Sequence, residues 1–156
     1  MGAMSPADLV EQLMTLTSVE EFLAFMHPDA EYQPFPGVPV MHGLSEIRAY
    51  AEHAVGDPDR PQALPVSVTE TVDTAVVRGQ VRFIRGPVAK RHNVLEVAAW
   101  VVTVSDDKLR RVEAFSSWSA AETAAGLTAT PSRRDRRLGR GLQLLLGRPA
   151  CRPAMR

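Results

Sequence analysis

Residues 75–84 read Ala-Val-Val-Arg-Gly-Gln-Val-Arg-Phe-Ile, and the reading of this stretch decides the fold. Successive side chains on a β-strand point to opposite faces. Arg78, Gln80 and Arg82 therefore share one face, and Val77, Val81 and Phe83 share the other. A half-solvated antiparallel sheet gives this alternation with the arginines in water. A sheet curled around a polar pocket gives it with the arginines inside. The pattern shows which residues travel together, not which way they face.

Outward from this stretch, three further segments read as strands: residues 65–72, 92–104 and 109–118. They alternate or run apolar and are rich in β-branched residues. Short turn segments separate them, among them Ser105-Asp106-Asp107-Lys108, so the sheet is expected to be a mainly antiparallel meander. A short helix over residues 119–126 closes it at a glycine.

Upstream the period changes from two to that of a helix. Ser5-Pro6-Ala7-Asp8 is a helix start, with Ser as N-cap, Pro at the first position and an acid at the third. Leu9, Val10, Leu13, Met14 and Leu16 follow at helical spacing. Ser18-Val19-Glu20-Glu21 repeats the signal, Glu21 being placed to close a capping box on Ser18, and His27-Pro28 stops the second helix. A short strand over residues 30–35 comes next, then a loop forced by Pro34, Pro36, Gly37 and Pro39. A third helix follows Gly43, capped by Ser45 or a neighbour, with Ile47, Tyr50, Ala51 and Ala54 on one face and Gly56 as its left-handed stop.

The formal net charge of zero hides an asymmetry. Residues 1–130 carry ten Lys/Arg against seventeen Asp/Glu, whereas residues 131–156 carry eight Arg against one Asp. An acidic body thus precedes a basic tail. Met1 to Met4 is set aside as a flexible leader, residues 5–128 form one α+β domain, and residues 129–156 read as a disordered basic tail. The arginines suggest contact with an anionic membrane surface. Without interleaved aromatic residues for base stacking, nucleic acid is not an expected partner. Cys151 is the sole cysteine, which suits a reducing compartment, and the start of the chain lacks the basic and apolar runs of a secretory signal, so a cytoplasmic location is expected. The four histidines have no ligand spacing and no Gly-rich phosphate loop occurs, so neither a metal nor a cofactor is expected.

Two helices, a strand, a Pro/Gly loop, His-Gly-Leu-Ser-Glu-Ile-Arg at residues 42–48, a helix and four long strands resemble the nuclear transport factor 2-like superfamily, in particular its SnoaL-like branch. The similarity covers residues 6–126, and Pro28-Asp29-Ala30 and Gly43-Leu44-Ser45-Glu46-Ile47-Arg48 carry it best. The resemblance implies a cone of curved antiparallel sheet closed by three N-terminal helices (a cystatin-like α+β barrel), a small-molecule ligand and a homodimer. Two of the family's chemistries fail on this chain. The proton-abstracting aspartate of the ketosteroid isomerases falls at Pro34 and their second acid at Trp100. The asparagine of the limonene epoxide hydrolases also falls at Pro34, their Arg-x-Asp pair at Gln80 and Arg82, and their late aspartate at Ala114; only their tyrosine survives, as Tyr32.

The same resemblance implies a pocket lined by Arg78, Gln80, Arg82, Glu96, Trp100 and Ser116, with Tyr32, Tyr50 and His42 nearby. Within it an Arg82–Glu96 pair across a hairpin is expected, freeing Arg78 to bind an anionic or carbonyl-bearing ligand. Glu96 would move the proton while Arg82 and Tyr32 polarise the substrate. The expected function is a SnoaL-like small-molecule enzyme using cofactor-free acid/base chemistry on an apolar, oxygenated substrate. The alternative is a non-catalytic ligand-binding or dimerisation module, favoured if Trp100 and Tyr50 fill the cavity.

Overall fold

The computed structural model describes residues 2–127 and 135–137 of the chain. Helix α1 (Pro6–Leu13) starts as its sequence dictates, with Ser5 Oγ accepting the Asp8 N–H at 3.2 Å. Helix α2 (Val19–Ala24) starts at Ser18, whose hydroxyl accepts the Glu21 N–H at 3.1 Å. The return bond of the expected capping box lands one residue early, on the Thr17 N–H at 3.0 Å. Strand β1 (Met26–Tyr32) begins as soon as α2 ends, four residues earlier than the sequence suggested, and pairs with the two-residue β2 (Met41–His42).

Helix α3 (Gly43–Gly56) opens at Gly43, which takes a φ of +78°. Its N-cap is His42 rather than Ser45, and the Glu46 carboxylate accepts the His42 N–H at 2.7 Å. Gly56 does not take the positive φ expected of it. The Arg60 guanidinium instead donates to the carbonyls of Ala54 and Val55 at 3.0 and 3.2 Å, satisfying the orphan acceptors of the last turn.

The meander follows as β3 (Gln62–Glu70), β4 (Thr74–Arg85), a single 3₁₀ turn (Val88–Lys90), β5 (His92–Ser105) and β6 (Lys108–Phe115). Asp106 and Asp107 sit at φ of +54° and +58° in the β5–β6 turn, the left-handed pair that a two-residue hairpin requires. Helix α4 (Trp118–Ala124) closes the domain, with Ser117 Oγ accepting the Ala120 N–H. The sheet order is β2-β1-β6-β5-β4-β3-β7, where β7 is the three-residue Asp135–Arg137. All pairings are antiparallel except β1 with β6. The sheet curves without closing, so the architecture is α+β.

Residues 129–134 and 138–156 of the expected tail lie outside the described residues. Residues 135–137 do not match the expectation of disorder: their backbone pairs with β3, Thr69 opposite Asp135 and Ser67 opposite Arg137. Among the described residues no helix is long and apolar enough to cross a membrane.

The two faces of the sheet are covered by different elements. Helices α1, α2 and α3 bury Leu9, Val10, Phe22 and Ile47 against the inner face, together with Val77, Val81, Trp100 and Val102. On the outer face a smaller cluster forms where Ala121 of α4 meets Val76, Ala99 and Val101.

Candidate ligand-binding site

The β4–β5 register decides which side chains reach the interior. Val77 stands opposite Trp100, Arg78 opposite Ala99, Val81 opposite Glu96 and Arg82 opposite Leu95. Residues directly opposite each other share a face, so Arg78 and Trp100 cannot. The face that α1–α3 cover carries Val77 and Trp100; the arginine face looks outward. The expected pocket of Arg78, Gln80 and Arg82 is thereby corrected, because a one-residue offset in pairing exchanges every side chain between faces.

Arg78 is nonetheless buried, at 8% exposure, beneath α4. Its Nε donates to Glu122 Oε1 at 2.7 Å, and one terminal nitrogen donates to Thr69 Oγ1 at 2.7 Å and lies 3.5 Å from Ser67 Oγ. A guanidinium taken out of water needs acceptors of this kind. Arg78 ties α4 to the sheet through Glu122. The expected Arg82–Glu96 pair is also corrected, since the two residues lie on opposite faces, one register step apart. Glu96 has inner-face parity but sits exposed near the far end of β5. Gln80 is half-buried on the outer face between Leu64 and Val97. Ser116 is exposed past the end of β6. The His42 side chain is 65% exposed, with Nδ1 3.8 Å from Glu31 at the β2 edge.

What the fold brings together inside is apolar. A cavity of about 40 Å³ lies between α1 and the inner face. Helix α1 contributes Val10, Leu13 and Met14, and the sheet contributes Val77, Val102 and Val112. Tyr32, Pro34, Pro65 and Trp100 close the ends. A second cavity of about 20 Å³ lies between α2 and α3 around Phe22, Tyr50, Ala54 and Arg60, and Tyr32 lines both. The Tyr32 ring meets Phe22 edge-on at 5.5 Å and Tyr50 at 6.1 Å. Burial pushes the Tyr32 phenol far above the ordinary range, with Tyr50 adding to the effect. Burial also pushes Tyr50 up to about 12, against a smaller opposing pull from Arg60.

Trp100 fills the position between these walls. Its Nε1–H donates to the Pro34 carbonyl at 2.7 Å, so the one polar atom of the indole is satisfied by backbone. Gln33 fastens the same proline loop: its Nε2 donates to the Val38 carbonyl at 2.9 Å and its Oε1 accepts the Ala114 N–H at 3.2 Å. Sequence reasoning missed Gln33 and the α1 lining. The α1 stripe was visible as a helical period, but nothing in that period distinguishes packing against a sheet from lining a cavity.

The comparisons with known proteins bear on the family and the fold. The profile of the SnoaL-like domain matches residues 9–112, and the chain belongs to that family. Among solved structures, the epoxide hydrolase/cyclase-like enzyme SalBIII of salinomycin pyran ring formation is similar at 16% identity and a TM-score of 0.55, over 72% of this chain and 88% of that one. A putative SnoaL-like polyketide cyclase from Jannaschia is 18% identical with a TM-score of 0.53, over 84% of this chain and 98% of its own. An NTF2-like protein of unknown function from Cytophaga hutchinsonii is 13% identical with a TM-score of 0.55, over 72% and 97%. At these identities the likeness is one of fold. The search of curated proteins finds no match.

Proposed function

We propose that this SnoaL-like domain binds a small, compact, predominantly apolar molecule between α1 and the inner face of the sheet, and that binding rather than acid/base catalysis is its activity. The single observation that carries the reading is the lining: of the ten residues around the cavity between α1 and the sheet none is a carboxylate, a histidine or an arginine. Burial of apolar surface is then the driving force, at about 25 cal/mol per Å² removed from water. At about 40 Å³ the cavity is far smaller than a drug-sized site, which runs to ~300–1,000 Å³. The guest is therefore of very few heavy atoms, or enters as α1 moves outward. We assign residues 5–128 to this domain and residues 129–156 to an appendage, and keep the cytoplasmic location on the strength of the lone Cys151.

A second reading, cofactor-free catalysis on an oxygenated substrate, rests on Tyr32. It lines both cavities, and burial keeps its phenol a neutral donor suited to polarising a carbonyl. Glu96 has no place in that step from the exposed end of β5.

Titration with benzene or indole, followed by methyl resonances, separates the readings. Shifts confined to Val77, Val102 and Val112 with a response at the Trp100 indole N–H support the apolar guest. Shifts confined to Leu95 and Val97 would reject it. A ketone that engages Tyr32, bound equally well by Tyr32→Phe, would remove the second reading.

A further inference from the structure

The interior holds two empty spaces, and Tyr32 borders both. Protein interiors are packed closely enough that voids larger than a water molecule are few, so two beside one buried residue are informative. Tyr32 is 4% exposed at the end of β1. Its ring is met edge-on by Phe22 of α2 and stands 6.1 Å from Tyr50 of α3. A side chain that fronts empty space has no packing partners on those sides. A change of rotamer therefore costs it less than it would in a filled core.

The two spaces differ in chemistry. The one beneath α1 is walled by aliphatic side chains with Trp100, whose indole N–H is already given to Pro34. The one between α2 and α3 ends at a cation, since half-buried Arg60 lines it together with Tyr50. Both bonds from Arg60 to the last turn of α3 leave from Nη1, so Nε and Nη2 take no part in them. The charge of Arg60 reaches this space, where it opposes the effect of burial on the Tyr50 phenol. Val55 lines the same space and is 56% exposed, so the cationic end lies close to the surface.

We propose that Tyr32 is a movable partition, and that with its ring swung aside the two spaces join to take a linear aliphatic carboxylate. The hydrocarbon lies beneath α1, and the carboxylate meets the Arg60 guanidinium beside the Tyr50 hydroxyl. This rests on the apolar site proposed above and adds the class of its guest. A guanidinium with two donors to spare matches a carboxylate in charge and in shape, and it fixes which end of the guest stays near the surface. Chain length then decides whether Tyr32 must move.

NMR titration of the full-length chain with butanoate, octanoate and octanol tests this, with benzene as a probe of the apolar site alone. The resonances followed are the Arg60 Nε–H, the Tyr32 ring and the methyls of Val77 and Val102. Octanoate is expected to move all three sets, and butanoate the Arg60 signal without the Tyr32 ring. Octanol should bind about tenfold more weakly than octanoate, for want of a charge-assisted bond. Arg60→Gln, its fold checked by circular dichroism, should abolish that preference; the Arg60 signal of the parent chain reads the same contact without any variant. Octanoate that moves Arg60 but neither Tyr32 nor the methyls would reduce the contact to a surface ion pair and overturn the proposal. Equal binding of octanoate and octanol would overturn it too, while a benzene response at Val77 and Val102 left the apolar site standing. Silence of those methyls toward benzene would instead reject the apolar site, and the partition with it.

Discussion

Val77 and Trp100 face each other across the β4–β5 ladder, and this one pairing orients the whole sheet. It turns Val81, Val102 and Ala114 inward with them and sends Arg78 to the outer face beneath α4. Trp100 is 4% exposed and donates to the Pro34 carbonyl. Trp100→Ala is expected to cost about 3–5 kcal/mol through lost packing and the cavity left behind. Trp100→Phe keeps the ring and strands the Pro34 acceptor, at about 1–3 kcal/mol. Urea unfolding midpoints measure both; an unchanged midpoint in Trp100→Ala would contradict the placement.

The Arg78–Glu122 pair makes a prediction that depends on order. Glu122→Gln weakens the charge that meets a buried guanidinium, and at 30% side-chain exposure the loss is about 1–3 kcal/mol. The double variant Arg78→Met/Glu122→Leu removes both charges and should recover most of that loss. Thermal melts of the single and double variants form the cycle. A double variant less stable than the single would show that Thr69 and Ser67 depend on the guanidinium more than Glu122 does.

Gly79 has no room for a side chain. A Cβ built there would collide with the Leu64 carbonyl oxygen and stand 2.9 Å from the Pro65 Cα, both backbone atoms that cannot swing aside. Gly79→Ala should therefore destabilise by about 1–3 kcal/mol or more and loosen the β3–β4 pairing at its bulge. Amide exchange along β3 reads this directly. Protection in β3 equal to that of the parent would refute the close approach.

The chain has two tyrosines, Tyr32 and Tyr50, so its alkaline titration reports on the interior alone. Both phenols are raised above the ordinary value of 10.0, Tyr50 to about 12. The fold favours their neutral form, so their contribution to stability is complete below the unfolded pKa of about 10. It is lost as the pH climbs through 12. The expected record is a near-ultraviolet tyrosinate signal that lags a free phenol and then rises together with unfolding. Ionisation of both residues near pH 10 in a folded protein would place them at the surface.

Much of the fold was legible because its signals are local. Ser5 and Ser18 mark their helices by a hydroxyl that reaches a backbone N–H three residues on, and the paired aspartates of the β5–β6 turn announce a hairpin. The alternation of Arg78, Gln80 and Arg82 was also legible, but its polarity was not. That depends on strand register and on which helices cover which face, both long-range facts. Arg82 opposes Leu95 rather than Glu96, and that single step dissolved the expected ion pair and the cationic pocket together. Glu122, the residue that meets Arg78, lies 44 positions away in the sequence, with no period linking the two. The apolar interior was harder still, since a leucine that lines a space and one that fills it have the same spacing.

The indole of Trp100 gives its only polar atom to Pro34, and this has a consequence for selectivity. On the proposed reading a guest meets a ring face and methyl groups along this wall, the Tyr32 hydroxyl aside, so outline counts for more than functional groups. Adding or removing one methylene in such a space is worth about 1–3 kcal/mol, and a hydroxyl of similar shape is turned away only weakly. Guests of matching contour would form a loose series at graded affinities, so a ranked panel of isosteres describes this interior better than any one name.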